Sequence, residues 1–279
     1  MNIKPVTNHR EREKGVIIYP VYSRRSEGLS IGINLFPDKK TCQFDCPYCE
    51  VFPFPGSEEL SLEQMETDLR TAIDMARKDN IPVKDICFSG NGEPTLCPAF
   101  CEAFALAEKI RKENVPSSHL VVITNGAGLL QTEIFTLLKE ACAADAASAN
   151  PALDIWLKLD AGTPDWYKKI NRCSLAHDQL IKKIAEFACG SFITIQTMLC
   201  AIEDKVPSET EAKAWEALVC QIAANAAGIR KVQIYGKARP APEDPLAARL
   251  PAEYLEDRAS SLRAAFTEKG MTIPVKVYL

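Results

Sequence analysis

Histidine is nearly absent: His9, His119 and His177 are the three in 279 residues, and they lie far apart. That removes the paired imidazoles with which a Cys2His2 site closes a zinc tetrahedron. No second C-x2-C occurs, so the paired-motif form of structural zinc is missing as well. Basic residues are fewer than acidic ones, 33 Lys and Arg against 37 Asp and Glu, for a formal net charge of −4. The chain as a whole offers no positive field of the kind that dominates nucleic-acid binding. No apolar run approaches the ~20 residues needed to span a bilayer. Residues Met1–Arg10 lead into charge without an apolar signal core. The expectation is a cytoplasmic protein with no membrane partner.

Cysteine is the exception to this sparseness. Eleven are present, an odd number without paired spacings, which fits reduced thiols better than a disulfide framework. Three of them, Cys42, Cys46 and Cys49, stand at a C-x3-C-x2-C spacing in the segment Asp38–Glu50. Three soft thiolates within eight residues can wrap one metal centre, and thiolates select zinc, copper(I) or iron–sulfur clusters over magnesium or calcium. A four-iron cubane normally takes four cysteines, so a cluster held by three leaves one iron open to an outside ligand. Tyr48, directly before the last cysteine, can shield such a cluster or pack on a flat ligand ring.

Short β-rich runs alternate with longer helical ones, the pattern of parallel strands joined by helical crossovers. Strands are expected to begin at residues 29, 85, 119, 153, 192 and 231. A helix over Glu58–Lys78 follows the cysteine loop, with a capping-box pattern at Ser61 and Gln64. Other helices are expected at about Leu129–Cys142 and Ser208–Ala227. A last helix over about Ala252–Glu268 and a strand over Thr272–Val277 complete an α/β chain read as one barrel-like domain, residues 1–279. Its core covers about 28–240, with an N-terminal extension at 1–27 and a C-terminal addition at about 250–279. The second strand runs into Gly90, Asn91, Gly92, Glu93 and Pro94, at a strand's C-terminal end, where α/β barrels place their sites. The glycines allow close backbone approach to a ligand, Pro94 stops strand pairing, and Glu93 offers a carboxylate to a cation. A plain Gly/Pro turn is the simpler alternative.

The triplet with Tyr48 resembles the C-x3-C-x-aromatic-C signature of radical S-adenosylmethionine (radical SAM) enzymes, and Ser89–Leu96 resembles their glycine-glycine-glutamate-proline motif with Asn91 inserted. The resemblance implies a partial (β/α)6 TIM-like barrel and one [4Fe–4S] cluster on Cys42, Cys46 and Cys49. It also implies S-adenosyl-L-methionine bound at the open iron, with its ammonium met by Glu93, and an electron donor such as flavodoxin or ferredoxin. The activity implied is reductive cleavage of S-adenosylmethionine to start radical chemistry. Pro20–Asn34 and Val232–Pro240 are similar to the branch containing the wyosine-type tRNA-base synthases. Those enzymes carry a second cluster on cysteines upstream of the triplet, and here no cysteine precedes Cys42. That departure sets the chain apart from their condensation chemistry and leaves tRNA as one candidate substrate among RNA bases, peptide side chains and metabolites. The other class open to the triplet is a non-catalytic iron–sulfur or zinc-binding protein.

Other strand ends are polar too. Asn125 closes the third strand. Lys158 and Asp160 alternate around Leu159, so both face one side of the sheet, either as a neutralising pair or beside a ligand. On the strand Phe192–Cys200, Thr194, Gln196 and Met198 share a face, and Gln196 is the polar group expected to meet the pocket. Arg239, before Pro240, lies on a rigid segment as a clamp for an anion or as an exposed cation. Arg10, Arg12, Lys14, Arg24, Arg25, Lys39 and Lys40 are a solvated surface or a cradle for an anionic substrate. Cys97 and Cys101 read as i, i+4 on a helix, and with Cys87 they form either an auxiliary cluster site or plain core thiols.

Overall fold

A computed structural model describes residues 15–51, 56, 60–148, 151–225, 229–242 and 246–279. The chain enters its sheet with β1 (Ile18–Ser23), antiparallel to β2 (Gly28–Ile33). From β2 onward the path is parallel: β3 (Val83–Phe88), β4 (His119–Thr124), β5 (Leu153–Lys158), β6 (Ile193–Ile202) and β7 (Ile229–Gly236). A short β8 (Ala247–Arg249) pairs antiparallel with the end of β6, and β9 (Val275–Tyr278) pairs parallel with β7. The sheet curls into a half-barrel in the order β1-β2-β3-β4-β5-β6-β7-β9, the α/β partial barrel expected.

Helices α1 (Leu62–Lys78), α2 (Phe100–Asn114) and α3 (Thr132–Ala146) cross between successive strands. Two helices, α4 (Pro164–Ile170) and α5 (His177–Ala188), follow β5, and α6 (Glu209–Asn225) and α7 (Ala252–Glu268) follow β6 and β7. Strand alternation divides the side chains. Ile31, Ile33, Ile86, Phe88, Val122, Ile155, Leu157, Ile195, Val232 and Ile234 join the helices in the main core, where each fully buried side chain of this size contributes roughly 1.5–3 kcal/mol. The opposite face lines the lumen with a small cluster of Cys87, Val121 and Trp156 and with buried Ser30, Asp85, Asp154, Thr194, Gln196 and Gln233.

Several local readings change. The expected N-terminal extension contains β1, an edge strand, where Pro20 costs no interior ladder bond. Tyr19 crosses Gly32, where a Cβ would stand 2.2 Å from its ring, and its hydroxyl bonds Ser89 Oγ at 2.5 Å. Only half of the capping box forms: Ser61 Oγ accepts from Gln64 N, while the Gln64 amide turns to Asp68. β9 begins after Pro274, which has no N–H to pair and whose carbonyl accepts from Val232 N at 2.8 Å.

Candidate functional site

The two sequence motifs meet at the C-terminal rim of the half-barrel. Thr41 N donates to Asn91 O at 3.1 Å and Glu93 N to Thr41 O at 2.9 Å, so the cysteine loop and the Gly90–Pro94 loop form a short parallel bridge. Asn34, at the end of β2, ties them again: its Oδ1 accepts from Phe36 N and Asn91 N, and its Nδ2 donates to Val16 O. Asn91 Nδ2 returns a bond to Phe36 O at 3.0 Å. Gly92 permits this approach, for at φ 149° an added Cβ would lie 1.9 Å from Thr41 O. Asn34 and Thr41 carried no sequence signal; their importance comes from partners about 50 residues away.

Glu93 is 3% exposed and acts first as a brace. Oε1 accepts from Thr95 N, Thr95 Oγ1 and Thr124 Oγ1, and Oε2 from Asn125 N at 2.7 Å. Each carboxylate oxygen has about two acceptor sites; the three donors on Oε1 share its pair, while Oε2, with a single bond, keeps one for a ligand. Pro94, also buried, opens a 3-10 turn over Pro94–Leu96, with Glu93 as its N-cap. Asn125 is thereby fixed between Glu93 and the cysteine loop, with Oδ1 accepting from Ala127 N and Nδ2 donating to Cys42 Sγ at 3.5 Å. Phe44 N also donates to Cys42 Sγ, and Asn171 Nδ2 to Cys46 Sγ at 3.5 Å.

In this pocket burial pushes the Cys42 and Cys46 thiols up to about 12, with Glu93 adding to the first and Asp160 to the second. A thiolate here needs a cation, and metal binding to cysteine displaces its proton. The N–H groups aimed at two of the three sulfurs suit thiolates, so the donor set fits a cationic, thiolate-ligated centre. Among the described residues, no three His, Cys, Asp or Glu side chains close around a single ion; a four-iron cluster spreads its thiolates more widely.

Tyr48 reaches out of the loop and donates to Asp160 Oδ2. Asp160 also accepts from Met198 N at 2.9 Å and Asn171 Nδ2 at 3.1 Å, and it pairs with Lys158 at 3.3 Å. Lys158 donates to the Tyr235 hydroxyl and lies about equally over the Tyr48 and Tyr235 rings, 5.0 and 5.1 Å from their centroids. The geometry is that of the neutralising pair, embedded in a chain from the cysteine loop to the lumen. Burial opposes the Lys158 charge most strongly, but Asp160, Tyr235 and Cys46 together outweigh it and hold the ammonium pKa above its ordinary value; burial raises the Tyr235 hydroxyl.

Both groups hold their protons more tightly folded than unfolded. Their stabilisation is complete below the unfolded values, about pH 10 for both, and is lost as pH rises toward the folded ones. Alkaline unfolding is therefore expected to begin above about pH 10 and to have a shallower pH dependence in Tyr235→Phe. Denaturation midpoints measured from pH 8 to 11 check this; identical slopes would remove Tyr235 from the account.

Deeper in the lumen Gln196 Nε2 donates to Gln233 Oε1 at 2.6 Å. Among the described residues Gln196 Oε1 and Gln233 Nε2 are buried with no hydrogen-bond partner. Arg25 enters from the β1–β2 turn and lies over the Trp156 and Tyr235 rings. Arg239, read as an anion clamp or an exposed cation, pairs instead with Glu50 at 2.7 Å, beside Cys49. Arg24 donates to Leu279 O, and Lys39 and Lys40 are half-buried. Arg10, Arg12 and Lys14 lie outside the described residues. The auxiliary-cluster reading fails on geometry. Cys87 lines the lumen, Cys97 packs in the outer core, and Cys101 borders that core near Glu133. Nor do the last two share a helix, since Cys97 ends the 3-10 turn and α2 begins at Phe100.

No protein-family model matches the sequence. Among curated proteins the chain is similar to the UPF0026 protein of Helicobacter pylori J99, 31% identical over 128 residues, or 45% of this chain and 39% of that one. It is also similar to the UPF0026 protein slr1464 of Synechocystis sp. PCC 6803, 29% identical over 187 residues, 64% and 63% of the two chains. The match spans about two fifths of the Helicobacter relative's length. Among solved structures, Streptococcus suis SuiB bound to the precursor peptide SuiA superposes with a TM-score of 0.65 at 13% identity, covering 92% of this chain and 51% of SuiB. A radical SAM methyltransferase from Sphaerobacter thermophilus gives 0.64 at 16%, covering 93% and 68%. TYW1 with a lysine–pyruvate adduct gives 0.57 at 15%, covering 84% and 73%. The chain has the fold of the radical SAM enzymes.

Proposed function

We propose that this chain is a radical SAM enzyme in which Cys42, Cys46 and Cys49 hold one [4Fe–4S] cluster with an iron open to S-adenosylmethionine. The observation that carries the reading is the direct pairing of the cysteine loop with the Gly90–Pro94 loop through Thr41, Asn91 and Glu93, on a fold shared with such enzymes. When bound, the cluster supplies the electron that cleaves the sulfonium to methionine and a 5′-deoxyadenosyl radical. The protein's part is to place the ligand. Backbone carbonyls of the glycine loop and the spare acceptor site of Glu93 Oε2 receive the ammonium, and Asn125 bounds the site on the β4 side. Tyr48, Lys158 and Asp160 wall it on the β5 side. The unmatched amide atoms of Gln196 and Gln233 offer one acceptor and one donor to whatever enters the lumen.

An electron donor such as flavodoxin or ferredoxin and a cytoplasmic setting belong to the same reading. Among the described residues no helix is long and apolar enough to cross a membrane. The substrate class is an RNA base, a peptide side chain or a metabolite. Peptide gains weight from SuiB, whose structure holds a precursor peptide.

Anaerobic reconstitution is expected to give four irons and four sulfides per chain. Dithionite reduction with S-adenosylmethionine should then yield 5′-deoxyadenosine by slow uncoupled cleavage, and the triple variant Cys42→Ala, Cys46→Ala, Cys49→Ala should yield none. Tightly held zinc without sulfide would favour the structural alternative. An intact reducible cluster that binds S-adenosylmethionine yet forms no 5′-deoxyadenosine would favour a non-catalytic iron–sulfur protein.

A further inference from the structure

We propose that Asn171 is a positioning residue for the metal centre, its side-chain amide donating to the Cys46 sulfur and raising the reduction potential of the cluster; this rests on the reading of Cys46 as a cluster ligand. Asn171 caps the C-terminus of α4, is 2% exposed, and lies 125 residues from Cys46 in sequence. Its backbone and its side-chain nitrogen are engaged with the cysteine loop or its supports. Its backbone N–H bonds Tyr167 O at 2.9 Å, its carbonyl accepts from Asp45 N at 3.0 Å, and Nδ2 donates to Asp160 Oδ2 at 3.1 Å and Cys46 Sγ at 3.5 Å. A primary amide nitrogen has two hydrogens, and two acceptors use both. The amide cannot be turned round, because a carboxylate and a thiolate would then both face its oxygen.

Asp160 holds that amide in place and is itself held by Lys158, Tyr48 and Met198 N. The next residue, Arg172, adopts φ 45° and reaches Asp45 at 3.8 Å, so the end of α4 is latched to the cysteine loop by two adjacent residues. Reduction adds negative charge to a cluster and its thiolates. A fixed N–H aimed at one sulfur favours the more negative state, and hydrogen bonds to the sulfurs are among the features that set cluster potentials. Arg172 touches the loop without a bond to sulfur, which makes it the structural control for Asn171.

The test is a redox titration of the reconstituted full chain, followed by electron paramagnetic resonance with iron analysis alongside. Asn171→Leu is expected to keep its iron and to shift to lower potential, with the reduced-to-oxidised ratio at the wild-type midpoint falling about tenfold, or ~59 mV for one electron. Asn171→Ala serves if leucine prevents folding. Arg172→Lys, which keeps the cation and leaves the Asn171 amide donor in place, should leave the midpoint unmoved. An unchanged midpoint in an iron-replete Asn171 variant overturns the proposal, as does an equal shift in Arg172→Lys. Loss of iron from both Asn171 variants would assign the residue to assembly of the site instead. Wild-type protein that takes up no iron would sink the cluster reading itself, and iron analysis separates that outcome from the others.

Discussion

Asp160→Leu is expected to lower unfolding free energy by roughly 3–5 kcal/mol, the usual cost of breaking a buried ion pair from one side. The reason lies in what remains. Lys158 keeps an ammonium with only 16% of its side chain exposed, and Met198 N and Asn171 Nδ2 lose their acceptor. The Tyr48 hydroxyl loses its partner too. Removing the charge as well, in Lys158→Met with Asp160→Leu, should recover part of the loss, because a buried pair replaced by apolar groups of similar volume is often close to neutral. Anaerobic urea denaturation of both variants measures this. A single variant costing under ~1 kcal/mol, or a double variant no better than the single, would mean that water reaches Lys158.

Glu93 divides into two roles that different substitutions separate. In Glu93→Ala, Thr95 N and Asn125 N lose a buried carboxylate, and two threonine hydroxyls must turn elsewhere. Hydrogen bonds to a charged group are worth roughly 1.5–3 kcal/mol each, so a loss of about 3–5 kcal/mol is expected, together with a ten-fold or greater loss of S-adenosylmethionine affinity. Glu93→Gln can keep its oxygen on Asn125 N and offer its amide to the two threonine hydroxyls, leaving only Thr95 N without its acceptor, at a stability cost of about 1–3 kcal/mol. It nevertheless lacks the charge that would meet the ligand ammonium. A smaller stability loss than in Glu93→Ala, with affinity down ten-fold, is therefore the expected signature of Glu93→Gln in denaturation and equilibrium binding. Unchanged affinity in that variant would leave Glu93 as a brace alone.

Much of this site was legible because its main motifs are local. Three cysteines within eight residues and a Gly/Pro-rich strand end declare themselves by spacing, and the alternating pattern at Lys158 and Asp160 puts both on one face. What stayed hidden has the opposite character. Asn34, Asn171, Gln233 and Tyr235 are ordinary polar residues until β2, α4 and β7 converge on one rim. Local rules also misled where tertiary bonds compete with them. Cys97 and Cys101 have helical spacing, but Pro94 opens a separate turn that ends at Cys97. The Gln64 side chain finds Asp68 instead of returning to the helix start. β1 was obscured by Pro20, which an edge strand tolerates.

The latch between Asn171 and the cysteine loop also sets an order in time. Cys49 leaves the ribosome well before Asn171, and at about 5–20 residues per second the intervening 125-residue separation from Cys46 takes on the order of ten seconds to synthesise. For most of that interval the thiols have neither the amide from α4 nor Asp160, which follows β5. If the three cysteines hold the proposed cluster, its iron and sulfide would find the finished pocket only once Asn171 has been made, and the neighbouring thiols would have to stay reduced until then.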